Sequence, residues 1–363
     1  MNKLVALLLL VLFSGCISRN ECVYNAPVDK NDGLRVSTLD EQQLNQAVFE
    51  TINAQICEGV YGNVHSLLVI HNNHLVIEQY YNNWSPESLH FLASTTKSFN
   101  ALLMGKAIEL GKISSVNQTM LSFFPEYHLH EKDSLKARIT IENLLTMTTG
   151  FDWDELSVPY SDPENKGAQM DQMDNWVMAA LDLPMKNSPG TEYVYCGPAS
   201  IILGEIIKRT TGLTILDFAR EQLFGTLGIN EYEWAAKNGI YDSSGGLSLK
   251  ARDIAKYALL HLNNGNWEGK QIVSEQWMKQ MFEPYIEINT PFYSCYQWRM
   301  VQLPGGMNVY FISGYGGQII QFIPQLDMVV VVNADNRQIP NDKRVAMGKL
   351  MQELALMHPS DPY

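Results

Sequence analysis

Apolar residues recur along this chain with two spacings, and the spacing changes four times. Thr38-Leu39-Asp40-Glu41 has the capping-box pattern and predicts a helix whose Leu44, Val48, Ile52 and Ile56 recur at i+4. Two β-rich runs follow, Ser66 to Ile70 and Leu75 to Tyr80, on either side of His71-Asn72-Asn73-His74, the pattern of a hairpin. Helical spacing returns at Ala101, Leu102, Leu103, Met104, Ala107, Ile108 and Leu110 and dominates to about Asn238. Glu142 to Thr149 reads as a helix ended by a C-cap at Gly150, and Ile201 to Thr211 as one stopped by Gly212. Gly245-Gly246 precedes another helical stretch, Ala251 to Leu262. Residues 151–175 are acidic, aromatic and turn-rich, and predict a surface loop overhanging a site.

The last third returns to strands: Met307 to Ile312, Gln318 to Ile323 and Met328 to Val332, with Pro324 to Asp327 turning between the last two. Asn341 to Met357 closes as an amphipathic helix carrying Val345, Met347, Leu350, Met351 and Leu354. The expected fold class is α+β: an antiparallel sheet built from both chain ends and flanked by helices. A mostly helical lobe, about residues 100–245, is inserted between the ends.

The first residues change the picture of where the chain goes. Lys3, the ten apolar residues Leu4 to Phe13 and then Ser14-Gly15-Cys16 form an export signal, too short to span a bilayer. Small residues before a cysteine resemble the bacterial lipoprotein signal, in which Cys16 becomes the lipidated first residue; a plain secretory signal is the alternative. Ile17 after the cysteine, rather than Asp, favours the outer membrane. The organisation expected is a signal at 1–15, a polar tether at 16–37 and one domain at 38–358. The protein is expected to be exported to the bacterial periplasm or cell envelope, meeting the membrane only through a lipid on Cys16.

Composition adds two limits. Hydrophobic content is 46%, ordinary for a globular protein with a sizeable core. The net charge of −13 argues against nucleic acid or an anionic lipid surface as partner. Five cysteines are too few for a disulfide scaffold. Cys22 and Cys57 can pair in an oxidising compartment. Cys196 and Cys295 can pair too, or stay as buried thiols.

Candidate chemistry centres on Ser94-Thr95-Thr96-Lys97, where the apolar helix begins. Positions i and i+3 share a helix face, so the Ser94 hydroxyl and the Lys97 amine can meet. A lysine kept neutral by a dry pocket can help take the serine's proton. The same two residues also fit an N-cap serine and a solvated lysine, so partners elsewhere decide. His128-Leu129-His130 lacks further ligands, and no metal or other cofactor is expected. Trp84, Trp153, Tyr160, Trp234 and Trp298 can line a pocket or simply pack. The absence of Gly-x-Ser-x-Gly argues against an α/β-hydrolase.

Five stretches then fall into one order: Ala93 to Ser98, Ile141 to Gly150, Ser188-Pro189-Gly190-Thr191, Gly246 to Asp253, and Ser313 to Gln318. Together they resemble the serine β-lactamase and penicillin-binding-protein superfamily, nearest the esterase and amide-hydrolase branch that includes class C β-lactamases and 6-aminohexanoate-dimer hydrolase. The resemblance implies a β-lactamase/transpeptidase-like fold, a Ser94 nucleophile with Lys97, and Tyr195 as a proton relay in the place of the Tyr-x-Asn motif. Gly197 stands where that motif has asparagine. Ile312-Ser313-Gly314 stands where relatives have Lys-Thr-Gly, so the cation for a substrate carboxylate is absent. The implied oxyanion donors are the N–H groups of Ser94 and Tyr315, with Gly314 to Gly317 read as a bulged edge strand. Gly197, Ser313, Gly314, Gly316, Gly317 and Gln318 are the implied substrate-facing positions. Arg209-Thr210-Thr211-Gly212 mimics Lys-Thr-Gly but reads as a helix end, and Ser161-Asp162-Pro163 is not Ser-Asp-Asn. The expected activity is hydrolysis of a small ester or amide through an acyl-enzyme. The altered Gly197 and Ile312 leave open a non-hydrolytic penicillin-binding-like sensor or scaffold, and a cell-wall D,D-peptidase is a further alternative.

Overall fold

In the computed structural model, residues 22–128, 131–339 and 341–358 are described. Cys16 and the expected signal lie outside them. Their strands of 35–36, 64–80 and 286–334 form one nine-stranded sheet. Its order is Arg35–Val36, His74–Tyr80, Val64–His71, Met328–Ala334, Ile319–Ile323, Asn308–Ser313, Arg299–Gln302, Phe292–Ser294 and Ile286–Asn289. Every pairing is antiparallel except the short parallel contact of Arg35–Val36 with His74 and Leu75. The two chain ends meet in the middle, where Leu68 opposes Val331 and Ile70 opposes Val329. Asn72 and Asn73 both take positive φ, 48° and 61°, the two-residue geometry that matches strand twist in a hairpin.

Alternation of side chains sorts the sheet into two cores. Leu68, Ile70, Ile320, Phe322, Val329 and Val331 face one way, against the apolar helices Lys97–Glu109, Gly197–Thr211 and Ala251–Leu262. Leu67, Val69, Ile323, Val330 and Val332 face the other, against Gln46–Cys57 and Asn341–Ala355. The first of these two terminal helices buries Phe49, Ile52 and Ile56, and the second Leu350 and Leu354. A three-stranded sheet, Leu89–Phe91, Leu247–Lys250 and Tyr232–Trp234, joins the helical lobe to the strand side of the molecule and leads directly into Ser94.

Several boundaries differ from the sequence reading. The Thr38–Glu41 box forms, with Glu41 N–H donating to Thr38 Oγ1 and Thr38 N–H to Glu41, but it closes an isolated turn. Gln43 at φ 56° breaks the chain there, and the helix starts after Asn45, whose side chain accepts from Val48 N–H. The helix expected to end at Gly150 stops at Leu145, because Met147 turns left-handed at φ 57°. Gly150 instead lets Asn187 approach: a Cβ there would lie 2.3 Å from the Asn187 carbonyl oxygen. Gly314 to Gly317 is no edge strand. It is the turn between two interior strands, with Gly314 N–H donating to Gln318 O and Gly316 and Gly317 at positive φ.

Residues 22–37 are laid onto the domain rather than held off it. Cys22 is bonded to Cys57, Leu34 is buried, and Arg252 binds Asp32 and the Val28 carbonyl. Cys196 and Cys295 are buried free thiols.

Candidate active site

Strand Leu89–Phe91 delivers the chain to a tight turn, Ala93–Thr96, that runs into the helix Lys97–Glu109. Ala93 sits at φ 46°, a left-handed conformation that costs a non-glycine residue about 1–2 kcal/mol. The turn is held from below: the Leu92 carbonyl accepts both Thr95 N–H and Thr95 Oγ1–H, and Thr96 Oγ1 accepts Leu247 N–H. Ser94 is thereby lifted to the wall of a cavity of about 270 Å³, half-exposed, while Lys97 beneath it is 3% exposed.

Lys97 Nζ donates to Ser94 Oγ at 3.0 Å and to the Ser244 carbonyl at 2.6 Å. Ser244 is fixed by Asp242, whose Oδ1 accepts from the N–H groups of Ser244 and Gly245 and from Ser244 Oγ. Lys97 Nζ also lies 5.0 Å from the centre of the Tyr195 ring. The Arg299 guanidinium lies 5.4 Å from the same ring. Tyr195 sits just before the helix Gly197–Thr211, so that helix and Lys97–Glu109 bring the relay candidates together.

The charge on Lys97 differs from a neutral base. Burial pulls its amine down, but Tyr195, Glu155 and Asp242 outweigh burial, and the net shift is upward. A cationic Lys97 donates to Ser94 and steers the serine's proton elsewhere. Glu155, 4% exposed on the same cavity wall, is shifted up by burial against the opposing pull of Lys97 and the Gly197 N–H.

The turn 314–317 closes the other side. A Cβ on Gly314 would lie 2.7 Å from the Leu92 carbonyl and 3.0 Å from Ala93 Cβ, so only glycine lets this turn press against the residues before Ser94. That contact brings Ser94 and Tyr315 to one cavity. The Tyr315 ring packs on Tyr160 from the 151–175 loop, with centroids 5.1 Å apart. The loop overhangs the site as its composition implied, placing Trp153, Glu155 and Tyr160 on the cavity wall.

Of the substrate-facing candidates, Gly197 lines the Ser94 cavity and Ser313 a small pocket beside it. Ser313, Gly314, Gly316 and Gly317 border a second, apolar cavity of about 440 Å³ walled by Phe311, Val309 and Met351. Gln318 is buried, its amide donating to the Ala334 carbonyl, and so braces the turn. Trp298 borders the small pocket, Trp234 donates to the Asp242 carbonyl, and Trp84 stacks on His65. Arg209 to Gly212 is a helix end capped by Gly212 at φ 77°. Among the described residues no cluster of metal-ligating side chains forms; His128 is exposed, and Leu129 and His130 lie outside them.

Glu155, Asp242, Ser244 and Arg299 were not singled out from sequence. Asp242-Ser243-Ser244-Gly245 carries the signature of an Asx turn and was findable. Arg299 and Glu155 reach the site only through tertiary packing.

A mixed sheet with terminal helices on one face, a helical lobe on the other and a serine–lysine pair at their join is the β-lactamase and transpeptidase fold. A family profile described as Beta-lactamase matches residues 46–356, and the chain belongs to that family. The 6-aminohexanoate-dimer hydrolase of Paenarthrobacter ureafaciens is 24% identical over 228 residues, 60% of this chain and 56% of that protein. The chain thus spans little more than half the length of that relative. The lovastatin esterase of Penicillium rubens is 28% identical over 163 residues, 40% of this chain and 39% of its own. A Bacillus anthracis protein assigned provisionally as a 6-aminohexanoate-dimer hydrolase superposes with a TM-score of 0.73 at 21% identity, covering 84% of this chain and 81% of that one. The chain carries the β-lactamase fold, and the proteins it resembles include one named as a 6-aminohexanoate-dimer hydrolase and one named as a lovastatin esterase.

Proposed function

We propose that this protein is an exported serine hydrolase that forms an acyl-enzyme on Ser94 and hydrolyses a small ester or amide. The observation that carries the reading is the 3.0 Å contact between Ser94 Oγ and a buried, cationic Lys97 that also lies against Tyr195. Ser94 Oγ attacks the carbonyl carbon. Lys97 keeps its proton and holds Ser94 Oγ; the Tyr195 hydroxyl takes the serine's proton as it hands its own to the departing alcohol or amine. The N–H groups of Ser94 and Tyr315 receive the oxyanion, where preorganised donors contribute most to lowering the barrier. Water then releases the acid by the same relay in reverse.

Ester or simple amide hydrolysis is favoured over β-lactam hydrolysis because Gly197 and Ile312 lack the amide and cation that read a β-lactam's amide and carboxylate. The apolar cavity beside the 314–317 turn favours an apolar group on the substrate. The purified mature protein is expected to hydrolyse a short-chain p-nitrophenyl ester and to gain the acyl mass on Ser94. Ser94→Ala should lose both. Equal rates in wild type and Ser94→Ala would discard the enzyme and leave the sensor or scaffold. D-Ala release from a pentapeptide would favour the D,D-peptidase.

Export and anchoring rest on Met1 to Cys16. Expressed in a Gram-negative host, the protein should fractionate with membranes and incorporate radiolabelled palmitate. Cys16→Ser should lose the label and appear in the soluble fraction; an unlabelled wild type would remove the lipid anchor.

A further inference from the structure

Gly197 leaves a gap where the family motif has an asparagine side chain, and that gap is filled. Glu155 Oε1 accepts the Gly197 N–H at 2.7 Å. A Cβ added to Gly197 would lie 3.0 Å from Glu155 Oε2 and 3.4 Å from Oε1. A side chain at 197 and the Glu155 carboxylate therefore compete for one space. A second glycine yields to the same group: a Cβ on Gly167 would lie 3.2 Å from Glu155 Oε2 and 2.8 Å from the Tyr160 ring.

The loop is built to hold this carboxylate in place. Asn165 is fully buried, and its amide donates to the Glu155 carbonyl at 3.0 Å and the Val158 carbonyl at 2.8 Å. Its oxygen caps the short helix Lys166–Gln172 through Ala168 N–H. A buried carboxylate needs compensation, and Glu155 draws it from the charge of Lys97, the N-terminus of the helix Gly197–Thr211, and the Tyr160 and Trp153 side chains.

We infer that Glu155 is a positioning residue that stands in, from the overhanging loop, for the missing asparagine of the Tyr-x-Asn motif, setting the Lys97 ammonium and the first turn of the Gly197–Thr211 helix. The inference rests on the proposed hydrolase. It changes what the motif supplies: an acceptor carboxylate in place of a neutral amide. The site around Ser94 and Tyr195 then includes a group carried by the overhanging loop. The ionisable groups facing Glu155 are Lys97 on the nucleophile helix, Tyr160 and Asp171 on its own loop, and Cys196 before the next helix.

The test exchanges the two side chains. Glu155→Ala and Gly197→Asn are each expected to lower kcat/KM for a p-nitrophenyl ester about tenfold or more, while Glu155→Ala/Gly197→Asn recovers to within about threefold of wild type. Glu155→Gln keeps an acceptor for the Gly197 N–H but removes the charge. It should melt close to wild type and move the alkaline limb of the pH–rate profile to lower pH, since Lys97 loses a counter-charge. Losses that multiply in the double variant, or a Glu155→Gln profile with an unmoved limb, overturn the inference. The melting temperatures read the same exchange without turnover: the double variant should be more stable than the two single losses combined allow. Should Ser94→Ala show no effect, the hydrolase reading fails by itself, and additive melting losses would still count against Glu155.

Discussion

Tyr195 lies against two cations, Lys97 and Arg299, neither of which its neighbours in the chain supply. Both cations lie against the ring of the group proposed to receive and return the serine's proton. Tyr195→Phe keeps the ring and removes the oxygen. We expect kcat to fall about 10²–10⁴-fold, the usual worth of a positioned acid–base, with KM little changed. Steady-state kinetics on the chromogenic ester measure it, and a variant retaining half of wild-type kcat would take Tyr195 out of the relay. Arg299→Met should lower kcat less, because the guanidinium touches the ring and not the reacting atoms.

One turn, 314–317, does at the level of an element what Ala93 does at the level of a residue. It presses a sheet against the nucleophile's entry, and the fit is tight enough to test. Gly314→Ala places a methyl 2.7 Å from the Leu92 carbonyl, closer than real contacts allow. The turn must move by several tenths of an ångström, at a cost of about 1–3 kcal/mol. Melting should drop, and kcat should drop further than a uniform loss of folded protein explains, because Tyr315 moves with the turn. An unchanged kcat in the folded variant would separate Tyr315 from oxyanion binding.

This turn also marks where the sequence was legible. The flanking strands 308–313 and 319–323 read correctly within a residue or two, but the glycines between them read as a bulged edge strand and are a turn. The hairpin at Asn72-Asn73 was plain, since two positive φ angles in a row select such residues. The outer strands Ile286–Asn289, Phe292–Ser294 and Arg299–Gln302 were missed. They are only three or four residues long and partly exposed, too short for alternation to stand out even where, as in Ile286–Asn289, it is strict. Ser94 and Lys97 stand out because they are three residues apart, whereas Tyr195, far along the chain, is singled out only through the family resemblance. Glu155 and Arg299 were not found, because only packing across the lobe brings them to Tyr195 and Gly197.

For the whole molecule, acid is the weak direction. His65, His71, His90 and His261 are buried, and burial pulls each down to about 4. Unfolded histidine titrates near 6.5, so below that pH the unfolded chain binds protons that the folded chain refuses. Stability held above about 6.5 is therefore lost progressively as pH falls toward and through 4. His261 is the cleanest probe: it is 3% exposed, and one ring nitrogen donates to the Tyr257 carbonyl while the other has no partner. A shift of this size is worth at most about 3 kcal/mol. His261→Leu should flatten the fall of melting temperature between pH 6.5 and 4 relative to wild type. A parallel pair of curves would show that His261 is not among the groups responsible.

The central strand Val64–His71 finds its partner in Met328–Ala334, and Asn333 bonds Ser66 across 267 residues. Ser94 leaves the ribosome early. The strands that floor its pocket, the glycine turn that faces it and Arg299 beside Tyr195 are translated last. For most of its synthesis the chain thus carries Ser94 and Lys97 without Arg299 or the turn that bears Tyr315. Birth order leaves the pocket unfinished until the strands of 286–334 have been delivered.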